Sequence, residues 1–170
     1  FLQTPLQVGV GTSSGVDAVA HAVATALAAD PTHVLLTIDM ENAFNTLDRG
    51  AMLAAVRRHA PQMLPVMQWA YGGATTLHVL GAPPGTTIVS QRGTKQGNVG
   101  AGLLFALTLH KPLQAAAVAV PDAATVAYYD DISIVGKPAA LRDAFQRLCG
   151  TGAEGVGSVG LRVRPSKCSV

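Results

Sequence analysis

Two adjacent aspartates between two apolar runs constrain the fold of this chain more than any other feature of its sequence. Asp130 and Asp131 follow two tyrosines, and the flanking segments 125–127 and 132–135 have the composition of strands. The pattern predicts a β-hairpin with both carboxylates at its tip. Neighbouring carboxylates disfavour each other's ionisation unless a cation is present, and hard oxygen ligands suit Mg²⁺. The alternative is a solvated Asp-Asp turn, which has no need of the two preceding tyrosines.

A third acidic residue also follows a strand-like run. Asp39 comes directly after the apolar segment 34–38, and the aromatic Phe44 lies five residues further on. Two strand-end carboxylate sites that converge are what a two-metal phosphoryl-transfer centre requires. Phe44 can then lie against whatever is held over the metals, although a strand, an ordinary turn and a core phenylalanine explain the same residues.

Composition narrows the class of protein. A chain of 170 residues is about one domain long, and 49% apolar with 13% charged residues excludes a disordered segment. The net charge of +2 does not by itself indicate a nucleic-acid binder. The two cysteines, Cys149 and Cys168, form no Cys-x-x-Cys pair, which disfavours zinc and fits a reducing compartment.

The N-terminal residues and the apolar runs predict the location of this protein in the cell. No apolar run approaches 18 residues without a polar break, and no signal-peptide pattern opens the chain. We therefore expect an intracellular protein that does not enter a membrane. The first residues, 1–5, lack a methionine, which indicates a piece of a longer protein.

The order of the predicted elements indicates an α+β fold, an antiparallel sheet with helices packed on one face. Trp69 and Tyr71 are expected to pack in the core or against the hairpin and not to serve as base-stacking platforms. Helices are predicted over 16–29, 48–59 (with Asp48 as N-cap), 64–71, 99–118 and 138–148; strands over 34–38, 75–80, 86–91, 125–127, 132–135 and 161–164; a glycine-rich connection over 150–160.

A glycine-rich segment precedes the longest predicted helix. Gly93 and Gly97 allow close approach of the backbone to a ligand, and a helix N-terminus favours phosphate. Gln96 can hydrogen-bond to a nucleotide or to a template backbone. Taken alone, the segment is equally explained as a glycine-rich entry to a helix.

The order and spacing of these segments resemble the palm of a reverse transcriptase, most closely the non-LTR (LINE-type) retrotransposon branch. Five ordered matches cover nearly the whole chain. They are Gln7–Gly15 with His21 for the entry from fingers to palm, Asp39–Phe44 for motif A, Gly93–Phe105 with Gln96-Gly97 for motif B, Tyr128–Asp131 for motif C, and Gly160-Leu161 with 165–168 for motif D.

The resemblance implies a role for each matched residue. Asp39, Asp130 and Asp131 would hold two Mg²⁺ ions, with Mn²⁺ as a substitute, and Lys167 would protonate the leaving pyrophosphate. Phe44 would be the steric gate that excludes a ribose 2′-hydroxyl. Ala43, Gln96, Gly97 and Tyr129 would complete the nucleotide site.

The resemblance also implies substrates and neighbouring segments. The partners would be an RNA template, a DNA primer and dNTPs. Residues 1–170 would form the palm, with a part of the fingers in 1–30, while the remaining fingers and the thumb would belong to other parts of a polyprotein. For a eukaryotic retroelement the location would be nuclear.

Departures from the family pattern affect none of the proposed metal ligands, and two other hypotheses stay open beside the resemblance. Asn98 and Val99 stand where an Asp or Cys and then a Pro often follow the Gln-Gly pair, and Ala101-Gly102 replace a Ser or Gly and a Pro. The first alternative is a catalytically inactive scaffold that binds RNA or protein. The second is a two-metal nuclease or a viral RNA polymerase, which the Gln-Gly element and Phe44 respectively disfavour.

Overall fold

The central sheet brings the ends of distant segments to one edge. A computed structural model describes residues 6–95, 97–150 and 152–170. Its three-stranded antiparallel sheet has the order β1–β5–β4, where β1 is Val34–Ile38, β4 is Ala124–Tyr128 and β5 is Asp131–Gly136. Ile38 lies opposite Ile132 on β5, so the end of β1 lies beside the turn between β4 and β5.

Six α-helices accompany the sheet in the described residues, together with a separate hairpin of β2 and β3. The α+β class predicted from the sequence is confirmed. The helices are α1 Gly15–Ala29, α2 Ala43–Thr46, α3 Arg49–His59, α4 Leu64–Tyr71, α5 Ala101–Ala119 and α6 Pro138–Cys149; the hairpin strands are β2 Thr75–His78 and β3 Thr87–Ser90.

The main helical layer covers one face of the sheet. Leu104, Phe105 and Leu113 of α5 are fully buried and belong to the same core as Ile132 and Ile134 of β5. Helices α3 and α6 pack against α5 and close this layer. Burial of large aliphatic and aromatic side chains on this face is the main source of stability.

Helix α1 lies on the opposite face of the sheet, an addition to the predicted arrangement. It contacts β4 and β5. Gly15, its first residue, lies so close to Tyr128 that an added Cβ would come within 3.2 Å of the ring. Side chains alternate across a strand, and Tyr128 therefore projects away from the face on which the buried Ala127 meets the core.

One helix of the described chain, α5, is long and apolar enough to cross a membrane by length and composition alone. In the fold, 61% of its most apolar window is buried inside the protein. The core helix of a globular domain has the same length and composition, and α5 packs as such a helix between α3 and α6.

Helix boundaries follow local signals. Asp48 caps α3, with its Oδ1 accepting from the backbone N–H of Ala51 at 2.8 Å, as its position predicts. Pro61 separates α3 from α4. The Asp30-Pro31 pair follows α1, with Asp30 in an extended conformation.

Two structural predictions made from the sequence are wrong. The alternating segment 161–164 is not a strand: it contributes one isolated bridge, Val163 opposite Met40, because a 3-10 turn begins at Pro165 and ends the pairing. Trp69 is not in the core but 88% exposed on α4, whereas Tyr71 is buried as expected.

Candidate active site

The three predicted acidic residues lie at the same edge of the sheet. Asp39 follows β1 directly, Asp130 occupies the turn between β4 and β5, and Asp131 is the first residue of β5. The pairing of Ile38 with Ile132 holds these two regions side by side. Residues far apart in sequence are therefore neighbours here, as the resemblance requires.

The surroundings of Asp130 disfavour the charged form of its carboxyl group. Burial raises the pKa of the Asp130 carboxyl, a hydrogen bond to its own backbone opposes the rise, and the charges of Asp131 and Asp39 add to it. An ionised carboxylate in such surroundings is disfavoured unless positive charge compensates it.

Asp39 has one oxygen without a partner. Its Oδ1 is buried and accepts no hydrogen bond from the described residues. Its Oδ2 lies 4.0 Å from Nζ of Lys167, in a pair whose two side chains are partly exposed. A buried carboxylate oxygen without a donor is costly, and a cation between the carboxylates would satisfy it.

The C-terminal segment brings Lys167 to Asp39. The backbone N–H of Arg164 donates to the Asp39 carbonyl at 2.9 Å, and the N–H of Glu41 donates to the Arg162 carbonyl at 2.8 Å. The 3-10 turn Pro165–Lys167 follows, which returns the Lys167 side chain toward the carboxylates.

The residues present suit a divalent cation, although they do not form a closed cluster. In the described part of the chain, no group of three or more His, Cys, Asp or Glu side chains is arranged to hold a metal ion. The donor set is nevertheless all carboxylate oxygen, with one buried unpartnered atom on Asp39 and an unfavourable charge on Asp130. Such oxygen ligands suit Mg²⁺ and Mn²⁺.

The turn that carries Asp130 has an unusual backbone. Tyr129 has φ = 55°, in the left-handed region that bulky side chains rarely adopt. Its ring contacts two other aromatic rings edge-on, Phe44 at 6.0 Å and Tyr128 at 5.0 Å between centroids. Strained backbones of this kind persist only where the surroundings fix them, and they concentrate at functional sites.

The surroundings of Gly102 explain why this position is a glycine where the family pattern often has a proline. An added Cβ at this position in α5 would lie 2.8 Å from Cε1 and 3.0 Å from Oη of Tyr129. The residue must be small for the Tyr129 ring to pack against α5. This requirement depends on a contact across the fold, and the sequence alone carries no signal for it.

The short helix α2 positions Phe44 and Ala43. Phe44 is half-buried and stacks on Phe105 of α5, with centroids 4.5 Å apart and an interplanar angle of 19°. Ala43 is buried in the core and therefore does not line an open surface. Helix α2 replaces part of the turn predicted after Asp39.

The glycine-rich segment is fastened to α2. The N–H of Thr94 donates to the Phe44 carbonyl at 2.8 Å, and the N–H of Gly93 donates to the Leu47 carbonyl at 2.8 Å. An added Cβ at Gly93 would lie 2.5 Å from backbone atoms of Asn45, so only glycine permits this approach. Gly97 has φ = 83° with open space around it, while Gln96 lies outside the described residues.

Arg49 is a buried residue that the sequence did not reveal as important. Its guanidinium donates to the carbonyls of Gly93, Gly73 and Ser90 at 3.0 to 3.2 Å and to Ser90 Oγ at 3.0 Å. It also lies 5.5 Å from the centre of the Tyr71 ring. Arg49 therefore joins α3 to the start of the glycine-rich segment and to the base of the β2–β3 hairpin.

Comparison with known proteins gives one family. The model described as "Reverse transcriptase (RNA-dependent DNA polymerase)" matches residues 4–170. No curated protein matches the chain significantly.

Solved structures of telomerase share the fold. Apo telomerase of Candida tropicalis truncated from its C-terminal domain aligns with a TM-score of 0.63 and 14% identity, over 96% of this chain and 35% of that one. The apo telomerase of the same organism gives 0.69 and 10%, over 95% and 33%. Telomerase of Candida albicans in complex with the TWJ fragment of telomeric RNA gives 0.59 and 14%, over 95% and 30%. The chain thus spans about a third of these proteins, and identities this low show the fold alone.

Proposed function

Because this chain belongs to the reverse transcriptase (RNA-dependent DNA polymerase) family, we propose that it is a polymerase palm that joins dNTPs to a primer 3′-hydroxyl. An RNA strand is the template in this proposal, and a DNA strand is the primer. The sequence motifs support the non-LTR retrotransposon branch, and for a eukaryotic element of that branch the proposal includes a nuclear location.

The observation that carries the proposal is the charge arrangement at the sheet edge. A buried oxygen of Asp39, which has no hydrogen-bond partner among the described residues, lies in the same region as Asp130, whose pKa is raised by burial and by two neighbouring carboxylates. Such an arrangement is electrostatically unfavourable without a cation and is therefore suited to bind one. Asp39, Asp130 and Asp131 would hold two Mg²⁺ ions, and Mn²⁺ would replace them.

The chemistry that the bound ions supply is activation of the attacking hydroxyl and charge neutralisation on the leaving pyrophosphate. The chain's own residues orient the reactants. Lys167, beside Asp39, holds a proton for the leaving group. Phe44, fixed by Phe105, excludes the ribose 2′-hydroxyl. Gly97 and the segment around it bring backbone N–H groups toward the triphosphate.

A second candidate is an inactive scaffold that binds RNA or protein. It is favoured by two observations: Lys167 already pairs with Asp39, and the described carboxylates form no closed metal cluster. In that case no metal would bind at the sheet edge, and the palm would serve only as a folded surface.

Primer extension on an RNA template with dNTPs and Mg²⁺ tests the first candidate. We expect incorporation by the parent protein and none by an Asp130→Asn variant. Asp143→Asn, an exposed change on α6, is the matched control and should retain activity. Manganese binding followed by electron paramagnetic resonance separates the candidates: binding lost in Asp130→Asn supports the enzyme, and the absence of binding by the parent supports the scaffold.

A further inference from the structure

Gln7 makes a pair of hydrogen bonds to the backbone of Tyr129. Its Nε2 donates to the Tyr129 carbonyl at 2.9 Å, and the Tyr129 N–H donates to its Oε1 at 2.7 Å. The Gly9 N–H also donates to Oε1, at 3.2 Å. The Gln7 residue is only 2% exposed. A buried amide with both ends bonded to one distant residue resists displacement, because its release would leave several buried polar groups unpaired.

The residue that Gln7 holds has a backbone conformation that is unfavourable by itself. Tyr129 has φ = 55°, a conformation that costs on the order of 1 kcal/mol or more for a residue with a side chain. A β-hairpin turn with a left-handed first residue normally has Gly or Asn at that position. At this position the amide of Gln7 supplies the bonds that compensate for the missing glycine.

The bonded carbonyl belongs to the peptide unit that joins Tyr129 to Asp130. Peptide units are planar, so a bond that orients this carbonyl also orients the N–H of Asp130 and the direction in which the Asp130 backbone leaves the turn. The Asp130 side chain branches from the Cα that follows this peptide unit. The hydrogen bonds of Gln7 therefore fix the backbone from which the Asp130 side chain departs.

The segment around Gln7 is anchored to the sheet independently. The Val8 N–H donates to the Ala127 carbonyl at 2.8 Å, and the Ala127 N–H donates to the Leu6 carbonyl at 2.6 Å, on either side of the bridge between Gln7 and Ala127. The N-terminal segment thus extends the sheet beside β4 and offers a fixed base for the side chain. Gly9 gives it room, since an added Cβ would lie 3.1 Å from both Gln7 Oε1 and the Tyr129 ring.

We propose that Gln7 is a positioning residue, whose amide holds the left-handed turn at Tyr129 so that the Asp130 carboxylate points toward Asp39. The inference rests on the proposed function of these carboxylates as metal ligands. Gln7 touches neither metal nor nucleotide in this proposal and acts only through the backbone of the turn. Groups that orient metal ligands typically contribute about 10- to 100-fold to metal affinity or activity.

Gln7→Met tests the proposal, because methionine keeps the length of the side chain and removes all three hydrogen bonds of the amide, two to Tyr129 and one to Gly9. We expect about a tenfold weaker binding of Mn²⁺, measured by electron paramagnetic resonance, and a similar fall in kcat with a smaller change in the KM for dNTP. Gln146→Met, an exposed change on α6, is the matched control and should change neither. Circular dichroism and thermal unfolding establish that each variant is folded.

A rescue experiment separates positioning from a general loss of stability. Glycine adopts the left-handed conformation without cost, so in a Tyr129→Gly background the Gln7→Met change should weaken Mn²⁺ binding less than twofold. If Gln7→Met does not fold, Gly9→Ala crowds the same contact while keeping every polar group, and it should weaken Mn²⁺ binding several-fold. A reduced melting temperature with unchanged Mn²⁺ binding in the folded variant would overturn the proposal.

The outcomes also distinguish this inference from the proposed function. Primer extension and Mn²⁺ binding that survive in Gln7→Met would refute the positioning role and leave the polymerase proposal intact. Mn²⁺ binding that depends on Gln7 in a protein that extends no primer would support the positioning role and refute the polymerase. Absence of Mn²⁺ binding by the parent protein would overturn both.

Discussion

The ring of Phe44 stacks on the ring of Phe105, with centroids 4.5 Å apart and an angle of 19° between the planes. Phe44 comes from the segment after β1 and Phe105 from the first part of α5, so the contact joins the regions that resemble motifs A and B. An aromatic side chain held on a fully buried partner has little freedom to move aside. This geometry is what a residue that excludes a substrate by size requires.

Replacing Phe44 with valine should relax the choice of sugar. In primer extension, we expect the ratio of NTP to dNTP incorporation to rise about tenfold, because the smaller side chain leaves room for a 2′-hydroxyl. Loss of the stacked pair should also lower the free energy of unfolding by about 1 kcal/mol. Phe145→Val, on the half-buried face of α6, is the control. An unchanged ratio in Phe44→Val would show that another residue selects the sugar.

Gly102→Ala should damage activity more than stability. The added Cβ would lie 2.8 Å from Cε1 of Tyr129, so the ring and the turn carrying Asp130 have to shift. Alanine is also the better helix former by about 1 kcal/mol, which offsets part of the strain. We expect primer extension to fall about tenfold while the melting temperature changes little. Gly73→Ala, where an added Cβ meets open space, should leave extension unchanged; equal activity of the two variants would contradict the role of Gly102.

Arg49→Lys should destabilise the fold although the charge is kept. A lysine ammonium cannot reproduce the fork of donors that reaches Gly93, Gly73 and Ser90. Loss of these buried and part-buried hydrogen bonds should lower the free energy of unfolding by about 2 kcal/mol, measured by urea denaturation. Arg57→Lys, an exposed change on the same helix, should stay within about 0.5 kcal/mol. A similar small effect at Arg49 would mean that its hydrogen bonds contribute little.

Local signals in the sequence predicted most elements, whereas contacts across the fold were not predictable. The bounds of β1 and α4 agree with the predicted ones, and Asp48 caps α3 as expected, because alternation, periodicity and capping act within a few residues. The segment 161–164 alternates like a strand, yet a strand also needs a partner edge along its length, and Pro165 interrupts it. The same limit applies to the site. Asp39 and Asp130 were proposed as site residues from their positions at strand ends, but the buried donors of Arg49 have no signature in the sequence.

Gln7 is an intermediate case between local and tertiary signals. The resemblance placed it at the entry from fingers to palm, but nothing in the sequence indicates which atoms it bonds. Its partner, Tyr129, lies 122 positions away, and the left-handed backbone there is visible only in the fold.

A pair of histidines between α3 and α5 should make stability depend on pH. The rings of His59 and His110 are perpendicular, with centroids 5.6 Å apart, and Nδ1 of His110 is buried without a hydrogen-bond partner among the described residues. Burial lowers the pKa of His110, and the neighbouring His59 lowers it further. Burial also lowers the pKa of His59, with a smaller effect from Arg58. Both rings therefore bind a proton less readily in the folded state than in the unfolded chain.

The sign of the effect follows from proton binding. Below the unfolded-state pKa of about 6.5, these histidines bind protons more readily in the unfolded chain than in the folded one. The free energy of unfolding is therefore highest above this value and falls as the pH decreases. Urea denaturation between pH 8 and pH 5 should show this loss, and His110→Gln should flatten it. His78→Gln, at an exposed position of β2, should keep the parent profile. Asp130 contributes with the opposite sign, since its pKa is raised in the fold and the cost of its ionised form is relieved as the pH falls from that raised value toward the unfolded value of 3.8. A slope unaffected by His110→Gln would assign the pH dependence to other groups.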